Sequence, residues 1–315
     1  MRGIIGSGFG FYGYLPALAQ ISSDSILIPE KYAEAFSKRV ELDQFKNIIQ
    51  WAKDETVLLE SSELVVLSVS PKAQEELISK AQSYSTIQTL ILEKPLGVSP
   101  ENSKEILSKL LLSNKIFRIN YSFIYTKWYK QLFDIIEKYE VLDIKINWNF
   151  LAHHYKNNLE NWKRYHISGG AVIRFYGIHV IAMLASFGYT NPLISETAGY
   201  SEEDIYLWNA QIKNSSGAIA EVLVNSNSTD EEFRIELTYK TKSENQETFT
   251  VKLKEPFAEA LALDGLDPRV EIVKNVYTSL KEDNTEFYKI YNQTNELWQK
   301  IEHSNKSSEK SAIKV

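Results

Sequence analysis

The chain has 315 residues, 43% of them hydrophobic, enough for two cores, since ~150 residues is typical of one domain. With 41 acidic against 35 basic residues, a net charge of −6 and no basic run, nucleic acid is not an expected partner. The absence of cysteine excludes disulfides, thiolate metal sites and cysteine nucleophiles, and suits a reducing cytoplasm.

Met1 to Ala17 (MRGIIGSGFGFYGYLPA) reads as a strand, a glycine turn and a helix. Such a turn brings bare backbone N–H groups up to a phosphate, because glycine lacks the Cβ that would obstruct it. The usual spacing places glycines first, third and sixth, here Gly6, Gly8 and Phe11, so Gly10 or Gly13 must relieve the helix-to-strand contact. The same stretch resembles a signal peptide only superficially: its apolar run is broken by glycines, and we read it as mature protein. No apolar run approaches the ~18 residues of a membrane span.

A second strand over 25–28 leads to Pro29, Glu30 and Lys31. Glu30 at that strand end would hold ribose hydroxyls and favour NAD, whereas Lys31 would meet a 2′-phosphate and favour NADP. Helical spacing returns at 32–36 and through Leu42, Phe45, Ile48, Ile49 and Ala52. Leu64 to Val69 and Leu90 to Leu92 are continuous apolar runs, expected as parallel strands buried on both faces, with a crossover helix over 73–81 between them. Ser99-Pro100 starts a further helix that ends near Asn114, and 117–120 is a last short strand. These units make a doubly wound parallel sheet over residues 1–121.

From there the pattern alternates: 143–150, 206–212, 219–224, 233–239 and 249–253 read as strands of a large, mostly antiparallel sheet with one face covered by helices and the other open. Residues 271–280 and 285–301 are expected as helices. The second domain is thus α+β and spans 122–303, with 304–315 a polar tail that frays. An open sheet face makes a monomer the less expected state.

Two stretches stand out for chemistry. Glu93-Lys94-Pro95 caps a strand at its carboxyl end, where ligands of open parallel sheets lie, and a partly desolvated lysine there can exchange a proton with a substrate hydroxyl. Its bland counterpart is a surface lysine beside a turn proline. Gly169 to His179 (GGAVIRFYGIH) reads as a loop opening into a buried helix, on which His179 is either an acid, base or hydroxyl donor or simply a core residue. Residues 148–165, with Trp162 among them, suit a carbohydrate wall or plain packing, and His153 and His154 would point to opposite faces of a strand. No His/Asp/Glu set has metal-ligand spacing, so no metal is expected.

The glycine turn GSGFGFYG, Ser70-Pro71, the EKP triplet, Asn120-Tyr121 and the GG…GxH stretch, in this order over nearly the whole chain, resemble the Gfo/Idh/MocA oxidoreductases. The resemblance implies a Rossmann domain for NAD or NADP and a second domain whose open sheet joins subunits. It implies cofactor contacts from Gly6, Gly8, Phe9, Gly10, Glu30 or Lys31, Ser70, Pro71, Glu93, Lys94, Pro95 and Asn120. Lys94 would transfer the proton, the following proline would be cis, and His179 would contact the reacting sugar hydroxyl. Where many members carry an aspartate four residues before the histidine, this chain has Phe175. Tyr176 or Arg174 would then substitute, and Arg174 could pair with an anionic substrate such as a nucleotide-linked sugar. With Tyr121 and Trp162 as further substrate contacts, the implied activity is hydride transfer between nicotinamide and a sugar or sugar derivative. A ketosugar reductase and a non-redox regulator on the same fold are the alternatives.

Overall fold

The structure, a computed structural model, describes residues 1–258 and 266–309. The chain divides into two compact units, the first formed by Met1–Gly97, Glu105–Ser122 and Ala260–Tyr288, the second by Val98–Lys104, Phe123–Glu259 and Lys289–Val315.

In the first unit, β1 (Arg2–Ile5) is followed by a π-turn (Gly10–Tyr14) that runs into α1 (Leu15–Ile21). Then come β2 (Ile26–Pro29), α2 (Ala33–Ser37), β3 (Ile49–Ala52), α3 (Glu55–Ser61), β4 (Leu64–Leu67) and α4 (Pro71–Gln82). The series closes with β5 (Thr89–Leu92), α5 (Pro100–Leu111) and β6 (Ile116–Ile119). The six strands are parallel in the order β3-β2-β1-β4-β5-β6. Every residue of β1, β2 and β4 is buried, and β2 and β4 accordingly read as unbroken apolar runs. The chain builds outward from β1 first through β2 and β3, then through β4, β5 and β6. The crevice for a ligand therefore opens beyond the carboxyl ends of β1 and β4.

Two expectations change here. Residues 42–52 are not one helix: Val40–Ile48 is a 3₁₀ helix, and Ile49 and Ala52 belong to β3. Leu42, Phe45 and Ile48 repeat every third residue, the period of a 3₁₀ helix, and a four-residue strand is too short to show alternation. The stretch assigned to the second domain also contains a segment that returns to the first unit. Arg118 of β6, fully buried, donates from Nη2 to the Ser279 carbonyl at 2.6 Å and from Nη1 to Asn284 Oδ1 at 2.7 Å. Phe117 stacks on Tyr288 at 4.6 Å. No local pattern signals a contact so distant in the chain.

The second unit adds α6 (Lys127–Ile136), β7 (Glu140–Leu151) and α7 (His153–Lys156). After these come α8 (Ile178–Ser186), β8 (Tyr189–Gly199), β9 (Ile205–Asn214), β10 (Ile219–Asn225), β11 (Asn227–Lys240) and β12 (Gln246–Leu253). Helix α9 (Val270–Thr278) lies in the returning segment, α10 (Asn284–Ser304) runs from one unit into the other, and β13 (Asn305–Glu309) follows. The sheet order is β12-β11-β7-β10-β9-β8-β13, with β7/β10 and β8/β13 parallel and the other pairs antiparallel, so the sheet is mixed. Ile146, Trp148, Trp208, Val222 and Phe233 line its buried face. The other face carries Lys145, Asn147, Asn209, Glu221 and Arg234 around a concavity of about 410 Å³.

Strand β8 was not expected because Pro192 and three register shifts interrupt its alternation. The tail expected to fray over 304–315 starts as the last residue of α10 and then pairs as β13; residues 310–315 lie outside the described residues. His153 and His154 sit on the short helix α7, not a strand, with His154 buried and His153 exposed. One stretch, His166–Ser186, is apolar and long enough to cross a membrane by composition, but most of it is packed inside its own unit.

Candidate active site

Gly6 has φ +131°, and a Cβ there would stand 2.0 Å from the Ser68 carbonyl oxygen, so only glycine fits. Gly8 faces open space: nothing lies within 4 Å of a Cβ built on it. Gly10 supplies the helix-to-strand contact, its Cβ position being 3.2 Å from Ile4 of β1, while Gly13 makes room for the Phe9 ring. Phe11, in the place of the third glycine, is fully buried and meets Phe36 edge-on at 5.6 Å. The π-turn, closed by Leu15 N–H on the Gly10 carbonyl, has the width that takes up the altered spacing. The turn therefore keeps a bare, exposed backbone suited to a diphosphate.

At the end of β2, Glu30 is exposed, and Lys31 Nζ lies 2.6 Å from Glu55 Oε1, a hydrogen bond that raises the lysine pKa. Lys31 is thus engaged with a carboxylate. Arg39, which the sequence did not single out, donates to the Ser7 carbonyl inside the glycine turn. Arg269, bound to Asp267 at 2.6 Å, lies 4.4 Å from the Phe9 ring centre.

The EKP triplet follows β5, with a cis Lys94–Pro95 peptide and a half-buried Lys94. Gln74, fully buried on α4, clamps it: its Oε1 accepts from Glu93 N–H at 2.7 Å, and its Nε2 donates to the Glu93 and Leu96 carbonyls at 2.9 and 3.3 Å. Ser70 precedes this helix and Pro71 opens it, and Gln74 N–H bonds the Ser70 carbonyl at 2.8 Å. The Glu93 carboxylate accepts from Tyr14 Oη at 2.7 Å and from Asn120 Nδ2 at 3.3 Å, and Ser122 Oγ donates to Asn120 Oδ1 at 3.0 Å. Burial pushes the Glu93 carboxyl above its usual range, against the opposing pull of Lys94, Tyr14, Asn120 and Arg269. Gln74, Tyr14 and Ser122 are thus site residues that sequence reasoning missed. The available signal was a glutamine standing in the buried stripe of α4 beside Leu77, Ile78 and Ala81.

A raised folded-state pKa means that this group's contribution to stability is complete below its unfolded pKa and is lost as pH rises through the folded one. Glu93→Gln, which keeps an acceptor for Tyr14, is therefore expected to gain stability relative to the parent as pH rises above 4.5. Thermal melts across that range check it; a constant difference at all pH values would contradict it.

In the second unit, Gly169 has φ +80° and Gly170 packs against the Trp162 and Lys163 backbone, where a Cβ would fall 2.1 Å from the Trp162 carbonyl oxygen. Ala171, at φ +60°, leads into a π-turn (Val172–Gly177) and α8. His179 is 4% exposed, its ring stacked on Phe123 at 5.1 Å and edge-on to Phe257 at 6.3 Å.

Arg174 is not presented to solvent as an anion receptor. It makes a buried two-point pair with Glu302 (2.8 and 2.6 Å) and donates to the Val98 and His166 carbonyls at 2.7 and 2.9 Å. Phe175 meets Trp162 at 5.2 Å and Tyr176 at 4.8 Å, both edge-on, with Lys163 Nζ 5.3 Å from its ring centre. Half-buried Tyr176 also packs on Phe150 at 4.7 Å. Behind these, Asp204 accepts from Tyr155 Oη at 2.6 Å and from Arg164 at 2.8 Å, and burial pushes His154 down to about 4, so it is neutral at neutral pH. Tyr121 belongs to the first unit and is fully buried, which raises its phenol pKa.

No family model matches the sequence, and no curated protein does either. Solved structures do match. KijD10 from Actinomadura kijaniata, a 3-ketoreductase crystallised with NADP and TDP-benzene, has a TM-score of 0.72 at 12% identity, covering 98% of this chain and 99% of that one. GenD2 from gentamicin A biosynthesis, crystallised with NAD, has a TM-score of 0.68 at 11% identity, covering 96% and 93%. The transcriptional regulator Gal80p from Kluyveromyces lactis has a TM-score of 0.70 at 11% identity, covering 96% and 90%. The chain thus shares the two-part fold of these solved structures, a parallel six-strand sheet followed by a mixed seven-strand sheet, and these neighbours belong to the Gfo/Idh/MocA fold.

Proposed function

We propose that the protein is an NAD(P)-dependent oxidoreductase acting on the carbinol or ketone of a sugar derivative, most simply a ketosugar reductase. The observation that carries this reading is the Lys94 loop, held by Gln74 and by the Tyr14–Glu93–Asn120 network in the same unit as the bare glycine turn. Gly6, Gly8, Phe9 and Gly10, with Ser70, Pro71 and Asn120, would hold a dinucleotide, which would supply the hydride when bound. Lys94 Nζ moves the proton at the substrate oxygen. In the second unit His179, Trp162 and Tyr176 are the candidate substrate contacts, and Arg174, through its pair with Glu302, positions the π-turn that carries Tyr176. Tyr121, fully buried in the first unit, offers no exposed surface for the substrate contact expected of it. The work would be done in the cytoplasm by a homodimer or homotetramer joined through the open sheet face.

A second reading, a regulator that binds ligand without turning it over, is favoured by one feature: Phe175 stands where a carboxylate would help the proton move. Titration with NADH and NADPH by tryptophan fluorescence quenching, followed by nucleotide-linked ketosugars, separates the two. Cofactor binding with ketosugar-dependent oxidation supports the reductase, and binding without oxidation supports the regulator. Absence of binding removes both cofactor-based readings.

A further inference from the structure

Resting on the reading of the glycine turn as a dinucleotide site, we infer that Arg39 receives the 2′-phosphate of NADP and makes the protein NADP-selective. Lys31, the cation that the sequence offered for this role, is 2.6 Å from Glu55 and already neutralised. Arg39 is placed differently. Its Nη1 donates to the carbonyl of Ser7, between Gly6 and Gly8, and its guanidinium lies 4.5 Å from the Tyr12 ring centre and 5.3 Å from that of Phe11. These contacts fix the side chain while leaving Nε and Nη2 without a protein partner among the described residues.

That is unusual in this chain. Arg2, Arg164, Arg174, Arg234 and Arg269 each meet a carboxylate, and Arg118 spends its N–H groups on carbonyls and amides. Arg39 makes no ion pair among the described residues, yet is held beside the most open backbone of the turn, at Gly8. It follows α2 and so comes from the β2 side of β1, whereas Lys94 follows β5 on the other side. The β2 side is where a dinucleotide's adenosine ribose lies. A 2′-phosphate brings nearly two negative charges, which a planar guanidinium binds through two parallel N–H bonds. Exposed Glu30 is a carboxylate at the same strand end, but among the described residues its side chain makes no hydrogen bond that would fix it towards the ribose.

The test is fluorescence titration of the full chain and of Arg39→Gln and Arg39→Lys with NADPH and NADH, and with 2′,5′-ADP and 5′-ADP as competitors. The inference expects the parent to prefer NADPH, and Arg39→Gln to raise its dissociation constant by about 10-fold or more while NADH changes little. Arg39→Lys should recover part of the preference, and 2′,5′-ADP should outcompete 5′-ADP only when Arg39 is present. Equal parent affinity for the two cofactors, or an equal loss of both in Arg39→Gln, would overturn it; the latter would assign Arg39 to the diphosphate. If the parent binds neither cofactor, the dinucleotide reading itself fails, a result distinguishable from either of these.

Discussion

Replacing Lys94 with alanine is expected to lower kcat for ketosugar reduction by about 10²–10⁴-fold, with cofactor dissociation constants unchanged within about twofold. The lysine follows β5 after Glu93, and three hydrogen bonds with Gln74, two donated by it and one accepted, fix the backbone on both sides of it. The clamp fixes the backbone that carries the ammonium, so less ordering is left to be done at the substrate oxygen. The adjacent Glu93 is half-buried, and desolvation raises its pKa against the pull of Lys94. Steady-state kinetics with both cofactors check the prediction. Full turnover in Lys94→Ala would remove the residue from the reaction. A matched rise in the cofactor dissociation constant would instead make it a binding residue. Gln74→Leu, which unclamps the loop without touching ligand, should lower kcat as well and leave cofactor affinity intact.

Glu302→Ala is expected to destabilise the protein by about 3–5 kcal/mol, since it leaves the Arg174 guanidinium buried without its counter-charge. Both side chains are little exposed, 11% for Arg174 and 12% for Glu302, so solvent offers weak relief. Glu302 also accepts from Trp298 Nε1 at 2.7 Å, which the substitution strands too. Denaturant unfolding monitored by circular dichroism measures the loss. A change below about 1 kcal/mol, the worth of a surface pair, would show that the pair is solvated in solution. Because Arg174 lies in the π-turn two residues before Tyr176, the same variant should also loosen the turn that leads to His179.

The parallel sheet was legible because strands buried on both faces leave unbroken apolar runs, as in LVVL and TLIL. The glycine turn and the EKP triplet were legible because each is a local pattern with a local physical reason. What escaped were elements that exist only through distant partners. Arg174 looked like a free cation since Glu302 lies 128 residues further on. Arg39 carried no signal, because its meeting with Ser7 depends on how α2 packs beside the turn. The segment at 266–288 joined the first unit through Arg118, a single charged residue inside an apolar strand. Strand β3 was masked by the three-residue repeat before it, and β8 by proline and register shifts. Phe11 seemed a defect in the turn, and the π-turn shows how a wider helical turn accommodates it.

The central claim is that this chain moves a hydride with the proton handled by Lys94. Its most direct measurement is the absorbance of reduced nicotinamide when a nucleotide-linked ketosugar is added to protein loaded with NADPH, alongside the Lys94→Ala protein loaded in the same way. The account predicts oxidation of the cofactor in stoichiometry with the sugar in the parent and its near loss in the variant. Stable, tightly bound NADPH that stays reduced across a panel of ketosugars would contradict it, and would make the protein a ligand-binding regulator on an oxidoreductase fold.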